Sequence, residues 1–429
     1  MVLTWRAAAL AGLVVAAAAV TGSGWALLGF VPVALLIAAD VWLCASPRRT
    51  EIVRGGDTSI RLGESADVWV LVRNTGRRRL RATVRDAWTP SAGARGGVGT
   101  IDVPRGQRRR HETVLHPTRR GDRAAGPVVL RCLGPMGIAG RQRNLTAPWQ
   151  VRVLAPFASR KHLPSRIARL RELDGRSTIL QRGQGTEFDS LREYVPGDDV
   201  RSIDWRGTAR SSTVVVKTWR PERDRHVLIV IDSGRTSAGR VGDQPRLDHE
   251  LDAALLLGAL AGKAGDRVDL LVVDRSVRAS VVRVAASEFL SRAVNATANV
   301  EATLAESDYR ALVTESLARV SQRSLVVILT GLDRASIEEG LLPAAAPLLR
   351  KHKVIVATVS DPRLDEMRES AESIGDVFAA AAAEADESRR RTTAAELRRH
   401  GVSVVSAPPE RFAPELADRY LALKKSGRL

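Results

Sequence analysis

Cysteine and histidine are scarce in this chain: its 429 residues include 2 cysteines and 7 histidines. Cys44 lies in an apolar segment and Cys132 far along the chain, so no disulfide framework is implied, which fits a reducing compartment. No Ser-His-Asp, Cys-His or His-rich metal spacing stands out, so the usual equipment of nucleophilic or zinc catalysis is missing. Gly183 and Gly185 form a glycine pair without the third glycine and the following helix that a phosphate-binding loop requires. Nucleotide binding at that loop is excluded. His111 and His116 stand isolated among arginines and read as exposed loop residues.

Charge is absent between Arg6 and Asp40, a run of 33 residues. As one helix it would extend roughly 50 Å, against a hydrocarbon core of ~30 Å. The segment Thr21-Gly22-Ser23-Gly24 breaks the run, so residues 1–47 read as two membrane spans, about 5–20 and 25–45, joined by a tight turn. Trp25 and Trp42 stand where interfacial anchors belong. Arg6 before the first span and Arg48 and Arg49 after the second place both ends, and the soluble domains, on the cytoplasmic side of the cell membrane. A cleaved signal peptide is the competing reading of Arg6, the apolar core and Gly24. The second span would still anchor the mature chain.

What the chain has in excess is arginine. The net charge is +18, and residues 48–150 hold 21 arginines against 8 acidic residues. Placed directly after an apolar hairpin, this charge suits anionic lipid headgroups, since each juxtamembrane Lys or Arg gains roughly 1 kcal/mol near such a surface. Arginine-rich codon bias is the bland account of the same excess. No recognition helix or other specific nucleic-acid motif accompanies it.

Residues 48–156 read as a β-rich, sandwich-like module. Short alternating strands are expected at 66–73, 80–87, 113–116, 128–133 and 150–154, between Gly and Pro turns. A linking segment occupies 157–223. From 224 to 429 the texture is that of an α/β doubly wound domain. Buried strands are expected at 227–231, 268–273, 325–329, 354–359 and 402–405, and helices at 247–264, 309–320, 337–350 and 377–399. Residues 277–284 follow one strand so closely that an antiparallel edge hairpin is expected. The first strand ends in Asp232-Ser233-Gly234-Arg235-Thr236-Ser237. Such a strand end can ligate Mg²⁺ through Asp and hydroxyl oxygens, or its Asp and Ser can simply cap the next helix.

The densest chemistry lies at 192–205: Arg192, Glu193, Tyr194, Gly197, Asp198, Asp199, Arg201, Asp204 and Trp205, just upstream of an apolar strand. Three uses suit it. Ion pairs among these residues can clamp the segment between domains. Tyr, Trp and Arg can form a docking surface for a partner. Glu187, Asp189, Glu193, Asp198, Asp199 and Asp204 can hold metals for hydrolysis of a phosphodiester or similar substrate, as a metal-dependent hydrolase or nuclease would. Interleaved arginines weigh against the last use, because they neutralise carboxylates.

Taken with Arg182-Gly183-Gln184-Gly185-Thr186-Glu187-Phe188, Leu191, Pro196, Ile203 and Arg220-Pro221-Glu222, this segment resembles the signature of the bacterial domain of unknown function 58 family. The resemblance implies two membrane spans, a β-rich region and a C-terminal fold like the von Willebrand factor type A domain. It also implies association with a MoxR-type AAA+ ATPase. Type A sites hold a metal through Asp-x-Ser-x-Ser, a separate Thr and a second Asp. Here the implied ligands are Asp232, Thr236, Thr303 and Asp333, with Mg²⁺ at Asp232. The set is degenerate, because Gly234 replaces the first Ser and Gly331 falls where the second Asp belongs. The expected function is therefore a non-enzymatic, membrane-anchored adaptor or assembly factor. On this reading Asp232→Ala weakens partner capture with the fold intact, and Arg192→Ala or Asp199→Ala loosens the domain junction.

Overall fold

The structure, a computed structural model, describes residues 1–22, 24–180, 187–220, 225–369 and 372–427. Two compact units divide at one point: Met1–Pro156 and Phe157–Leu429.

The first unit joins two apolar helices to a pair of β-sheets. The helices Trp5–Thr21 and Phe30–Leu43 are linked by a 3-10 segment at Gly24–Gly29. One stretch of 23 residues, Leu27–Arg49, with a mean hydropathy of 2.2 over its 18-residue apolar window, is long and apolar enough to cross a membrane; Trp5–Thr21 is shorter. By length and composition these are features of a membrane anchor near the N-terminus. Both outer ends of the helical pair meet the turn between the strands Gly121–Leu133 and Ala139–Leu145. Val2 and Leu3 pair with Gly140 and Ala139. The buried Asp40 carboxylate accepts hydrogen bonds from the N–H groups of Met136, Ile138 and Ala139, each at 2.8 Å. A carboxylate in the last turn of a helix faces the negative end of the helix dipole. Three charge-assisted hydrogen bonds offset that cost.

A four-stranded sheet contains Thr50–Gly56, Ala66–Asn74 and Arg108–Leu115, and a seven-stranded sheet is centred on Gly121–Leu133. Their inner faces interleave because alternation puts Val70 and Val72 of one sheet against Leu80, Val84, Val128 and Leu130 of the other. Cys44 and Cys132, distant in sequence, share this cluster as free thiols. The Cys44 thiol donates to the Cys132 carbonyl at 3.2 Å.

The second unit begins with a helix, Leu163–Leu180, and a hairpin of Glu187–Glu193 against Val215–Arg220. Then comes a six-stranded sheet. Its spatial order is Val277–Val281, Arg267–Val273, His226–Asp232, Leu325–Leu329, Lys353–Val359, Ser403–Ala407. Neighbours run parallel except the first pair, which forms the antiparallel edge. His226–Asp232 is buried at every position, as a continuous apolar strand covered on both faces must be. One face carries Tyr309–Leu317, Leu342–Lys351 and Ile374–Arg399, whose Leu312, Leu348 and Leu397 pack on Leu228, Val326 and Val356. Arg246–Lys263 leads back into the sheet, and Pro409–Lys425 packs against it. The chain runs outward from His226–Asp232 to one edge, then returns to its other side at Leu325–Leu329. That return makes a topological switch point, the place where open α/β sheets form their binding crevice.

Candidate functional site

Asp232 ends the central strand at this switch point. It is fully buried. One oxygen accepts from the Gly234 N–H at 2.8 Å and from the Ser307 hydroxyl. The other accepts from Thr330 Oγ1 at 2.7 Å, Thr236 Oγ1 at 2.9 Å and Tyr309 OH at 3.1 Å. Five donors from separate parts of the chain therefore converge on one carboxylate. Each arrives for a local reason. Thr236 sits in the helical turn Arg235–Ala238, Thr330 follows the adjacent strand, and Ser307 and Tyr309 flank the start of Tyr309–Leu317. Burial, and then the charge of Asp232, push the Tyr309 phenol above its ordinary pKa, so it stays protonated and donates.

The two glycines that depart from the implied type A ligand pattern each stand close to neighbouring groups. A Cβ at position 234 would meet Ser307 Oγ at 2.0 Å and the Ala305 carbonyl at 3.0 Å. Ser307 thus supplies the hydroxyl from another loop and leaves room only for glycine. A Cβ at position 331 would meet Arg246 Nη1 at 2.9 Å and Thr236 Cβ at 3.0 Å. Where the pattern has a second Asp, this chain has an arginine side chain pressed over a glycine.

Of the four implied ligands, only Asp232 and Thr236 come together. Thr303 Oγ1 turns to Asp274 Oδ2 at 3.2 Å, not to Asp232. Burial raises the Asp274 pKa, but hydrogen bonds from the Ser276 and Arg275 N–H groups and from Arg278 outweigh it and keep that group acidic. Asp333 lies at the surface, 3.6 Å from Arg235 Nη2, and accepts from Ser336 Oγ at 3.1 Å. Among the described residues no three His, Cys, Asp or Glu side chains gather as a metal site would need. With Asp232 saturated by hydrogen bonds and the second carboxylate elsewhere, these residues do not fit a Mg²⁺ ion.

Two residues outside the sequence expectation complete the site. Arg246 opens the helix Arg246–Lys263 and donates from Nη1 to the Thr236 carbonyl at 2.6 Å. One turn on, Glu250 is fully buried with neither oxygen hydrogen-bonded among the described residues. Burial pushes its carboxyl up to about 8, against the opposing charge of Arg246.

The signature hairpin is a separate construction in the same unit. Arg192 grips Asp198 at both oxygens, at 2.6 and 2.8 Å. The Arg192 hydrogen bonds, then the Val195 N–H, hold the Asp198 carboxyl below its ordinary range. Gly197 turns the chain at φ +108°, a conformation that favours glycine. Asp199 caps Val200–Ser202 through the Arg201 N–H. Asp204 caps Trp205–Thr208 through the Arg206 and Gly207 N–H groups and lies 3.5 Å from Lys217 Nζ. Those bonds, the Gly207 one foremost, lower the Asp204 pKa. The Tyr194 N–H pairs with the Val214 carbonyl, Glu193 pairs through its backbone with Val215, and Trp205 is 70 % exposed.

These charges fold the hairpin itself. Among the described residues, Asp198, Asp199 and Asp204 find their hydrogen-bond and ion-pair partners between Arg192 and Lys217. Residues 182–186 and Pro221-Glu222 of the signature lie outside the described residues, as do the side chains of Glu187 and Asp189. Three of the six carboxylates considered for metal-dependent hydrolysis thus already serve as caps or in ion pairs. Arg192→Ala is therefore expected to open the 192–198 turn rather than a domain junction. New protease cuts should fall within 190–200, with a melting midpoint changed by no more than ~2 °C, because the pair is solvent-facing. Cleavage unchanged from wild type would contradict this role.

A family profile described as Protein of unknown function DUF58 matches residues 190–401, from the signature hairpin through most of the sheet domain. Two curated relatives are the Uncharacterized protein Rv1480 of Mycobacterium tuberculosis and the Uncharacterized protein Mb1516 of Mycobacterium bovis. Each is 29% identical over 92 residues, which is 21% of this chain and 29% of the relative. The match thus spans under a third of those relatives' length. Among solved structures, the CARDB domain of the PF1109 protein from Pyrococcus furiosus aligns with 26% of this chain and 90% of its own, at 14% identity and a TM-score of 0.18. A GH20 exo β-N-acetylglucosaminidase from Vibrio harveyi aligns with 76% of this chain and 78% of its own, at 9% identity and a TM-score of 0.16. Scores this low establish no shared fold. Over residues 190–401, just under half of its length, this chain is thus similar to the family described as Protein of unknown function DUF58.

Proposed function

We propose that this protein is a non-enzymatic, membrane-anchored adaptor whose C-terminal domain, of the von Willebrand factor A type, docks a MoxR-type AAA+ ATPase. The observation that carries the reading is the contrast at the switch point. Beneath, the Asp232 network fixes loops from several segments. Above, Leu304 is 85 % exposed, and the Arg235, Glu306 and Asp333 side chains are about half exposed or more. A preorganised loop set with an exposed apolar residue and mixed charges suits protein docking, because little conformational freedom is lost on binding. Strand order and the antiparallel edge support the type A comparison. The apolar helices and the arginine-rich β module behind them support attachment to an anionic membrane surface with the soluble domains cytoplasmic.

The test uses the full-length protein in detergent and a purified MoxR-type ATPase from the same genome, with ATP and Mg²⁺. Wild type should bind, and Leu304→Asp or Arg235→Glu should weaken binding at least tenfold while leaving the melting midpoint unchanged. Absence of binding by wild type, or equal binding by both variants, would sink the proposed face.

A further inference from the structure

Arg246 occupies an unusual place. Its guanidinium reaches the Thr236 carbonyl at 2.6 Å, and Thr236 in turn donates its hydroxyl to Asp232. The same Nη1 atom lies 2.9 Å from where a side chain at position 331 would begin. A side chain at 331 would therefore have to displace the tip of Arg246. Arg246 Nε is buried with no hydrogen-bond partner among the described residues, and the Ser233 hydroxyl beside the turn is likewise buried and unbonded. A strand-end carboxylate buried this deeply needs compensating positive potential nearby. Hydrogen bonds to hydroxyls supply part of it, and they carry no net charge.

We infer that Arg246 takes the electrostatic place of the divalent cation in this site, so that the loops around Asp232 are ordered by an internal guanidinium and bind no divalent ion. The inference stands apart from the ATPase reading, since it concerns how the face is held and not what it meets. Two departures then belong to one exchange: Gly331 for Asp, and an arginine at the first turn of the following helix. An adaptor built this way keeps its docking loops ordered whatever the supply of Mg²⁺. A metal-bearing site loses that order when the ion leaves.

The experiment is thermal unfolding and limited proteolysis of the full-length protein in detergent, with EDTA, with excess Mg²⁺ and with excess Mn²⁺. Wild type should melt at one temperature in all three. Arg246→Met, similar in girth but shorter and uncharged, should melt lower by roughly 5 °C and expose new cuts within 233–240. Arg246→Lys should recover part of both losses, because it restores the charge without the planar fork. A rise in the wild-type midpoint with Mg²⁺ or Mn²⁺ that Asp232→Asn removes would overturn the inference. So would an Arg246→Met protein that melts and digests like wild type, or a lysine variant no better than methionine.

Discussion

Asp232→Ala should destabilise the protein by about 3–5 kcal/mol, lowering its melting midpoint by roughly 10 °C. The carboxylate is fully buried and is the shared acceptor for Gly234, Thr236, Ser307, Tyr309 and Thr330. Removing it orphans five donors at once, and buried donors left unsatisfied cost more than the net gain of making the bonds. Hydroxyl rotation recovers part of that loss, which is why the expected figure is well below five full penalties. The sequence alone suggested that this substitution spares the fold; the hydrogen-bond network corrects that view. Asp232 is the keystone of the loops, so a binding defect in Asp232→Ala says nothing about contact with a partner. Urea titration decides the matter: a midpoint within error of wild type would show that the network contributes little.

Glu250→Gln should act in the opposite direction. The Glu250 carboxyl, buried without a hydrogen bond among the described residues, has its pKa raised from 4.5 to about 8. The charged and polar groups acting on it are Arg246, Ser237, Asp232 and Asp248. Because the folded-state value lies above the unfolded one, the folded protein holds a proton that the unfolded chain releases. Stability therefore falls as pH rises from about 4.5 to about 8 and levels off above that. At pH 7 the penalty is of order 3 kcal/mol. Glutamine carries no titratable proton, so Glu250→Gln should be more stable than wild type by about 2–3 kcal/mol near pH 7, less the cost of its own unpaired amide. At pH 5 the two proteins should converge. Denaturant midpoints measured across pH 5 to 9 test this, and parallel curves for the two proteins would refute it.

Much of the sheet domain was legible in the sequence because its strands are short β-branched runs buried on both faces. The expected strand at 325–329 is the observed Leu325–Leu329, and those at 227–231 and 268–273 differ from His226–Asp232 and Arg267–Val273 by no more than one residue at either end. The edge hairpin also appears, as Val277–Val281. Missed were the helices Ala286–Thr297 and Pro409–Lys425, whose apolar positions are interrupted by Arg and Glu, and the hairpin made by the signature itself.

Asp232 was legible as an acid at a strand end beside hydroxyls. Its partners Ser307, Tyr309 and Thr330 were not, since they lie 75 to 98 residues away in sequence. One signal was available for Glu250. It interrupts the apolar stripe Leu247, Leu251, Ala254 of an expected helix, and an acid at that spacing faces the core. Arg246 gave no such signal, for its meaning depends on Gly331 across the sheet.

The Asp40 latch has a mechanical consequence. Three N–H groups of the 136–139 turn close on one carboxylate of the apolar helix, while Val2 and Leu3 bind the same turn from the other side. The β module is therefore bolted to the helices as a bracket is bolted to a wall. Torque applied to the module reaches the helices without slack, and the helices can tilt only if the module tilts with them.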